Sequence, residues 1–328
     1  MSDTPIRAFT FPGQGAQSVG MGKDLADAFP QAKAVFDEVD QALGLKLTDI
    51  MWNGPEEDLT LTMNTQPALM AVSMAVVRVL EAEAGLDLAK HAKFVAGHSL
   101  GEYAALCAAG AFDIATAARL LRLRGEAMQR AVPVGAGAMA ATLGLENDKV
   151  NDAAEQAASE TGEPVGVAND NANGQVVISG SKAGVDRACE IAKELGAKRA
   201  MPLAVSAPFH CALMRPAAER LAERLAGVSI VKPEIAVINN VDVAVYDEPE
   251  KIRDALTDEE RDSSLLGGVI IVEYIFDYPG LGLLTINAVL QRDFPLIQGI
   301  AIVTAAIFVI INILVDLAAT TIDPRLEY

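Results

Sequence analysis

The chain is poor in the residues that build covalent frameworks and metal centres. It has 3 cysteines in 328 residues. Cys107, Cys189 and Cys211 are widely spaced and odd in number, so neither a disulfide framework nor a metal cluster is expected, and a reducing compartment fits. Histidine is equally scarce, with 3 residues, which leaves few imidazoles for any reaction that needs one. Positive charge is short as well: 26 Lys and Arg stand against 44 Asp and Glu, for a net charge of −18. That balance argues against a nucleic-acid partner or a generally anionic-membrane-binding surface. The segment Met1 to Arg7 has no apolar signal core and leads straight into a strand pattern, so a cytoplasmic catalytic domain is expected. Apolar character is in excess instead, with a mean hydropathy of +0.27. The excess is concentrated near the C-terminus.

From Arg7 to about Leu256, short β-rich runs alternate with amphipathic helices, the pattern of an α/β fold built on a mostly parallel sheet. Ala8 to Phe11 reads as a strand ending in the Gly-rich loop Gly13 to Gln17. Pro67 to Glu83 and Ile114 to Arg130 read as helices, and Lys93 to Ala96 as a central strand. Residues 135–205 carry a pattern of their own: strand Ala138 to Leu143, helix Asn147 to Glu160, strands Val165 to Ala168 and Gln175 to Ser179, helix Gly184 to Leu195, strand Arg199 to Val205. That βαββαβ order is ferredoxin-like, inserted between two parts of the larger core, 1–134 and 206–256. A charged junction, 257–263, then separates this region from an apolar, helical C-terminal tail, 264–328. Within the tail, Leu296 to Val315 is a run of 20 residues without a charge, relieved only by Gln298, Thr304 and Asn312. Its length and missing polar face point to a transmembrane helix over 296–315 and hence to possible membrane anchoring.

The chemistry centres on Phe94 to Tyr103, where an apolar strand runs into Gly97-His98-Ser99-Leu100-Gly101 and then an Ala-rich helix. This is the pattern of a nucleophile elbow, a sharp strand-to-helix turn that lifts a serine hydroxyl clear of the sheet. The helix points its N-terminal N–H groups to where an oxyanion would develop. Ser99 therefore reads as an acyl-transfer nucleophile. An activated serine needs a base. His98 is adjacent and expected to point away, and His91 lies in the polar lead-in. By elimination the base is His210, in Ser206-Ala207-Pro208-Phe209-His210. Arg119, Arg122, Arg124 and Arg130 share one helix, and Arg124 alone sits within an otherwise apolar face. A buried guanidinium there suits a substrate carboxylate held by two parallel hydrogen bonds. No metal site and no cofactor is expected.

These segments carry a resemblance. Gly13-Gln14-Gly15-Ala16-Gln17, Gly97 to Glu102, Arg124-Gly125 and Ala207-Pro208-Phe209-His210 resemble the signature segments of malonyl-CoA:acyl-carrier-protein transacylases, over about Phe9 to Leu256. The resemblance implies an acyltransferase domain with an α/β-hydrolase-like core and a ping-pong reaction in fatty-acid biosynthesis. Ser99 would attack malonyl-CoA and His210 would take the proton. Backbone N–H groups of Gln14 and Leu100 would hold the oxyanion, and Arg124 would clamp the malonyl carboxylate. The pantetheine thiol of acyl carrier protein would then receive the malonyl group. Phe209 before the histidine goes with malonyl rather than methylmalonyl selectivity in related domains. An acidic carrier protein would need a basic patch on this acidic chain, for which Lys198, Arg199, Arg215 and the Arg119 to Arg130 helix are the candidates. Beyond Leu256 the chain departs from the family: Glu259 stands about where a Gln is usual, and the Val-x-Trp segment that follows in the family is absent. A backbone carbonyl near that Gln usually orients the catalytic histidine. The stretch from residue 264 instead resembles the C-terminal end of oligopeptide/dipeptide-type ABC transporter permeases.

Two other readings compete. A serine esterase of the α/β-hydrolase type would place an acid between serine and histidine in chain order, and Asp113, Asp170 or Asp186 could supply it. Alternatively, the chain is an inactive composite, a membrane-anchored permease fragment with a vestigial acyltransferase domain.

Overall fold

In the computed structural model the described residues are 7–258, apart from Val134, Asn173, Ala204, Ser206 and Asp242, together with Leu265 and Leu266. Strand β1 (Ala8–Phe11) is followed by helices α1 (Lys23–Ala28), α2 (Pro30–Leu43), α3 (Leu47–Asn53), α4 (Glu56–Thr60), α5 (Thr62–Ala84) and α6 (Leu88–His91). Several local signals place their ends. Pro30 begins α2, where the missing N–H costs nothing, and Gly44 ends it at φ 65°. Then come β2 (Phe94–Gly97), α7 (Leu100–Ala108) and α8 (Ile114–Ala131). Asp113 caps α8 by accepting from the Thr116 N–H at 2.7 Å.

The next stretch is β3 (Gly137–Leu143), α9 (Asn147–Thr161), β4 (Val165–Ala172), β5 (Gln175–Ser181), α10 (Lys182–Glu194) and β6 (Arg199–Pro202). Its strands lie in the order β6-β3-β5-β4, antiparallel throughout. Alternate residues serve opposite faces, as the pleat requires. Ala140, Val176 and Ile178 join Val150, Ala157, Val185 and Ile191 of the covering helices. Met139, Ala141 and Val177 instead meet Ala127 and Met128 of α8 together with Phe209. This second cluster seats the Phe209–His210 loop between the antiparallel sheet and α8.

The chain returns through α11 (Arg215–Ala226), β7 (Ala236–Ile238) and α12 (Pro249–Asp258). Strand β7 pairs with β2, and β2 with β1, all parallel, so β2 is central in a sheet ordered β1-β2-β7. Helices cover it, as a parallel sheet demands. Phe36, Met70, Leu106, Leu120, Leu221 and Leu256 are among the residues buried in the resulting core.

Some boundaries differ from the sequence expectation for identifiable reasons. The β4–β5 hairpin runs on through Asn169, Asp170 and Asn171, with register irregularities between Val167 and Asn169 and between Asp170 and Ala172. Ladder hydrogen bonds do not require apolar side chains, and bulges absorb the mismatch. The last strand ends at Pro202 rather than Val205, although the Leu203 N–H still donates to the Met139 carbonyl at 2.9 Å. Two residues of the segment read as a helical tail, Leu265–Leu266, form instead a short strand, β8, parallel to Asn169 and Asp170. An open strand edge offers unpaired N–H and C=O groups to such an addition. The candidate transmembrane run 296–315 lies outside the described residues. No helix among the described residues is long and apolar enough to cross a membrane.

Candidate active site

Three parallel strands deliver their C-terminal ends to one place. The Gly13–Gln17 loop follows β1, Ser99 follows β2 and Asn240 follows β7. The crevice beyond the carboxyl ends of strands is where open α/β sheets bind ligands. Ser99 is the N-cap of α7 at φ 50° and ψ −114°, a conformation that side chains rarely adopt, and its hydroxyl makes no cap hydrogen bond. Such strain persists only when the surroundings over-determine it. Here they do: a Cβ on Gly97 would overlap the Gly101 carbonyl, and one on Gly101 would overlap the Phe11 carbonyl. The turn closes on backbone so tightly that only glycine fits at either flank.

The Ser99 hydroxyl faces both other residues singled out by sequence. His210 Nε2 lies 3.1 Å from Ser99 Oγ, and Arg124 Nη2 donates to the same oxygen at 2.9 Å. His210 also has a positive φ, of 53°, so both members of the Ser–His pair sit in strained backbone. All three residues are buried, Arg124 to 1% exposure. Arg124 reaches inward because α8 approaches the start of α5 closely; a Cβ on Gly125 would strike the Met63 backbone. Its guanidinium lies over the Tyr103 ring at 5.6 Å, a favourable cation–π placement. The other arginines of the helix differ. Arg122 bonds to Glu126, Asn64 and the Met63 carbonyl, while Arg119 and Arg130 are exposed.

Leu100 is the first residue of α7, so its N–H lacks an acceptor within the helix. Gln14 is half-buried in a loop that packs on the elbow, where a Cβ on Gly13 would meet the His98 ring and carbonyl. Burial holds the His98 imidazole below its ordinary value. The Asn171 side chain opposes that by hydrogen bonding, and the nearby Arg124 charge adds to it. Cys107, on the elbow helix, is buried, and that burial pushes its thiol up to about 12. His91 is exposed in α6, its ring 2.7 Å from the Asp87 carbonyl.

The three acids considered for an esterase triad are engaged elsewhere. Asp113 caps α8, Asp186 pairs with Lys182 on the surface at 2.8 Å, and Asp170 accepts from Asn147 at 2.7 Å. Residue-level reading missed one buried element beside the serine, formed by Glu102 and Asn240. Asn240 donates to Glu102 Oε2 from its backbone at 2.8 Å and from its side chain at 2.5 Å, and its own Oδ1 accepts from the Ser99 N–H at 3.4 Å. The signals that could have found it are the Ser-x-x-Glu spacing of Ser99 and Glu102 and a polar residue at a strand's carboxyl end.

A family model described as Acyl transferase domain matches residues 8–261, and one described as Binding-protein-dependent transport system inner membrane component matches residues 263–328. The chain is 51% identical over 249 residues to the malonyl CoA-acyl carrier protein transacylase of Haemophilus influenzae, covering 76% of this chain and 78% of that one. A solved acyl-carrier-protein S-malonyltransferase from Bartonella henselae superposes with a TM-score of 0.79 at 51% identity, over 83% of this chain and 85% of that chain. A solved complex of a type II polyketide synthase acyl-carrier protein with its malonyl-transacylase matches with a TM-score of 0.77 at 46% identity, over 82% of this chain and 85% of the matched one.

Proposed function

This chain belongs to the acyl transferase domain family, and we infer from the site it carries that it transfers a malonyl group from malonyl-CoA to the pantetheine thiol of acyl carrier protein, as in fatty-acid synthesis. The observation that carries the inference is Arg124, a buried cation 2.9 Å from the nucleophilic oxygen. An ester hydrolase acting on neutral substrates gains nothing from it, whereas a thioester that ends in a carboxylate needs a fixed partner for that charge.

One polarity runs through the site. Arg124 can only donate, so Ser99 Oγ accepts from it and directs its own hydrogen to His210 Nε2. Ser99 Oγ attacks the thioester carbonyl carbon as that proton passes to His210. Negative charge develops on the carbonyl oxygen and is held by the N–H groups of Gln14 and Leu100. The C–S bond breaks, and coenzyme A leaves as a thiol with the proton from His210. The malonyl group, now an oxyester on Ser99, is attacked by the pantetheine thiol. That thiol's proton goes to His210, the ester C–O bond breaks as the new thioester forms, and the proton returns to Ser99 Oγ. No cofactor takes part. Phe209, packed with Met128 and Met139, narrows the space beside His210 in favour of malonyl over its methyl homologue. The exposed Lys198, Arg199 and Arg215 are the cations an acidic carrier protein would meet.

The βαββαβ stretch is a ferredoxin-like insertion, 135–205, between core segments 1–134 and 206–256. Beyond the junction 257–263 the chain is a composite, its tail 264–328 related to a transporter membrane component. The change from one family match to the other between residues 261 and 263 supports this division.

Intact-protein mass spectrometry of the detergent-solubilised full chain, before and after brief exposure to malonyl-CoA, tests the function. A malonyl-sized mass gain, absent in Ser99→Ala, is expected. A monodisperse chain that takes up no such mass would refute active malonyl transfer and leave the inactive composite.

A further inference from the structure

The helix that begins at Ser99 has the sequence of a capping box without its structure. In that motif the N-cap serine hydroxyl bonds to the N–H three residues on, and a glutamate there reaches back to the serine N–H. Ser99 and Glu102 have the spacing, yet the Ser99 hydroxyl makes no cap bond. It points to His210 and Arg124 instead. A serine used as its own cap would withdraw its nucleophilic oxygen into the helix end. The serine N–H is satisfied by another route: Asn240 Oδ1 accepts from it at 3.4 Å, and Asn240 is in turn fixed by donating twice to Glu102 Oε2. Both residues are buried, Asn240 completely and Glu102 to 3% exposure. The direction of the relay is unambiguous. The Asn240 amide nitrogen faces Glu102 as donor, so its oxygen faces the serine as acceptor.

We propose that Glu102 and Asn240 form a relayed capping box, a pair of positioning residues that hold the Ser99 backbone in its strained turn and so leave the hydroxyl free for His210. Neither residue need touch the substrate. Glu102 supplies the reach along α7, Asn240 supplies the acceptor from the end of β7, and the relay ties the central strand's elbow to its neighbouring strand. The assignment deepens the malonyl-transfer reading and rests on it for the choice of substrate.

Single-turnover acylation of the full chain by malonyl-CoA, followed by mass spectrometry, reads the effect. Glu102→Gln removes the charge that anchors Asn240 and should slow acylation about tenfold. Asn240→Asp sets two carboxylates face to face and should slow it about a hundredfold. The reciprocal swap, Glu102→Gln with Asn240→Asp, restores a donor opposite the new carboxylate and keeps an acceptor toward the Ser99 N–H, but that donor replaces the oxygen that also accepts from the backbone N–H at position 240. It should therefore acylate faster than Asn240→Asp and slower than Glu102→Gln, where independent effects would make it slower than both. The malonyl-CoA concentration for half-maximal rate should stay within about twofold throughout, because Arg124 is untouched.

A swap no faster than Asn240→Asp, or Glu102→Gln acylating at the parent rate, would overturn the proposal. So would losses carried wholly by the half-saturating concentration. Should Asn240→Asp not fold, Glu102→Gln against the parent decides alone. A parent chain that takes up no malonyl group counts against the malonyl-transfer reading and not against the relay. In that case a fluorophosphonate, which labels an activated serine with loss of fluoride, ranks the same variants at Ser99.

Discussion

At the elbow, glycines sit where any side chain would collide with backbone; the antiparallel sheet holds both kinds, Gly180 of β5 meeting the Pro164 carbonyl and Gly166 of β4 having no atom within 4 Å of where a Cβ would stand. The backbone separates the two regions more cleanly. Ser99 and His210, 3.1 Å apart at Oγ and Nε2, hold positive φ angles, and Val243 is the third such non-glycine residue among those described. None falls within β3 to β6. The parallel sheet thus concentrates strain where three strands end, and the antiparallel sheet supplies an unstrained wall that seats Phe209 through Met139 and Val177. Strain is tolerable at the site because it is fixed from several sides at once.

The sharpest way to break this contrast is Gly101→Ala. The added methyl would overlap the Phe11 carbonyl, which belongs to β1 and cannot swing away as a side-chain tip could. A stability loss of about 3 kcal/mol is expected from the overpacking, with adduct formation by malonyl-CoA lost almost entirely. Thermal unfolding and mass spectrometry would check both, and a near-normal Tm would show that the turn has slack the contacts do not reveal.

Arg124→Ala leaves the turn intact and removes the cation, so it separates geometry from charge. Malonyl transfer should fall by about a thousandfold, as expected when a buried carboxylate loses a charged hydrogen-bond partner. Acetyl transfer, which has no carboxylate to lose, should be spared or improved. Comparable losses for malonyl-CoA and acetyl-CoA would remove Arg124 from substrate recognition.

What sequence made legible was chemistry packed into short spans. Gly97 to Gly101 announces a turn because two glycines bracket a serine after an apolar strand, and 3 histidines leave little choice of partner. Arg124 stood out as a cation among apolar neighbours. Elements whose ends depend on backbone pairing were harder. The β4–β5 hairpin continues through Asn169 and Asp170, where side chains give no strand signal. The Glu102–Asn240 relay spans 138 residues. It exists only because β2 and β7 lie side by side with Ala96 opposite Ile238, a register that no local pattern encodes. Helices α1, α3 and α4 escaped the same reading because they have only 6, 7 and 5 residues; α2, at 14 residues, escaped it despite its Pro30 start and Gly44 stop.

His98 lies where the two regions meet, on the elbow and hydrogen-bonded to Asn171 of β4, and its imidazole is held below the ordinary value chiefly by desolvation. In the unfolded chain it titrates at about 6.5. Above that pH both states are neutral there and the contribution to stability is complete. As pH falls through it, the unfolded state gains a proton that the folded state resists, so stability declines. His98→Gln should flatten the fall of Tm between about pH 7.5 and 5.5 relative to the parent. Parallel curves would mean that this contact carries no pH dependence.

The smallest expected effect comes from the mirror of the first substitution. Gly166 is half-buried in β4, opposite Ser179, and it has no positive φ that would demand glycine. A glycine inside a strand gives up more chain entropy on folding than alanine does and packs nothing in return. Gly166→Ala should therefore raise stability slightly, by about 0.5 kcal/mol, which is about 1–2 °C in Tm for a domain of this size. Malonyl adduct formation should not change, since the site gains no contact and loses none. One methyl group would then cost about 3 kcal/mol at Gly101 and return about 0.5 at Gly166, chemistry identical and sign reversed. If Gly166→Ala instead destabilised the chain as Gly101→Ala does, β4 would be packed as tightly as the elbow despite the open space beside Gly166, and the division between a strained turn and a relaxed strand would fall.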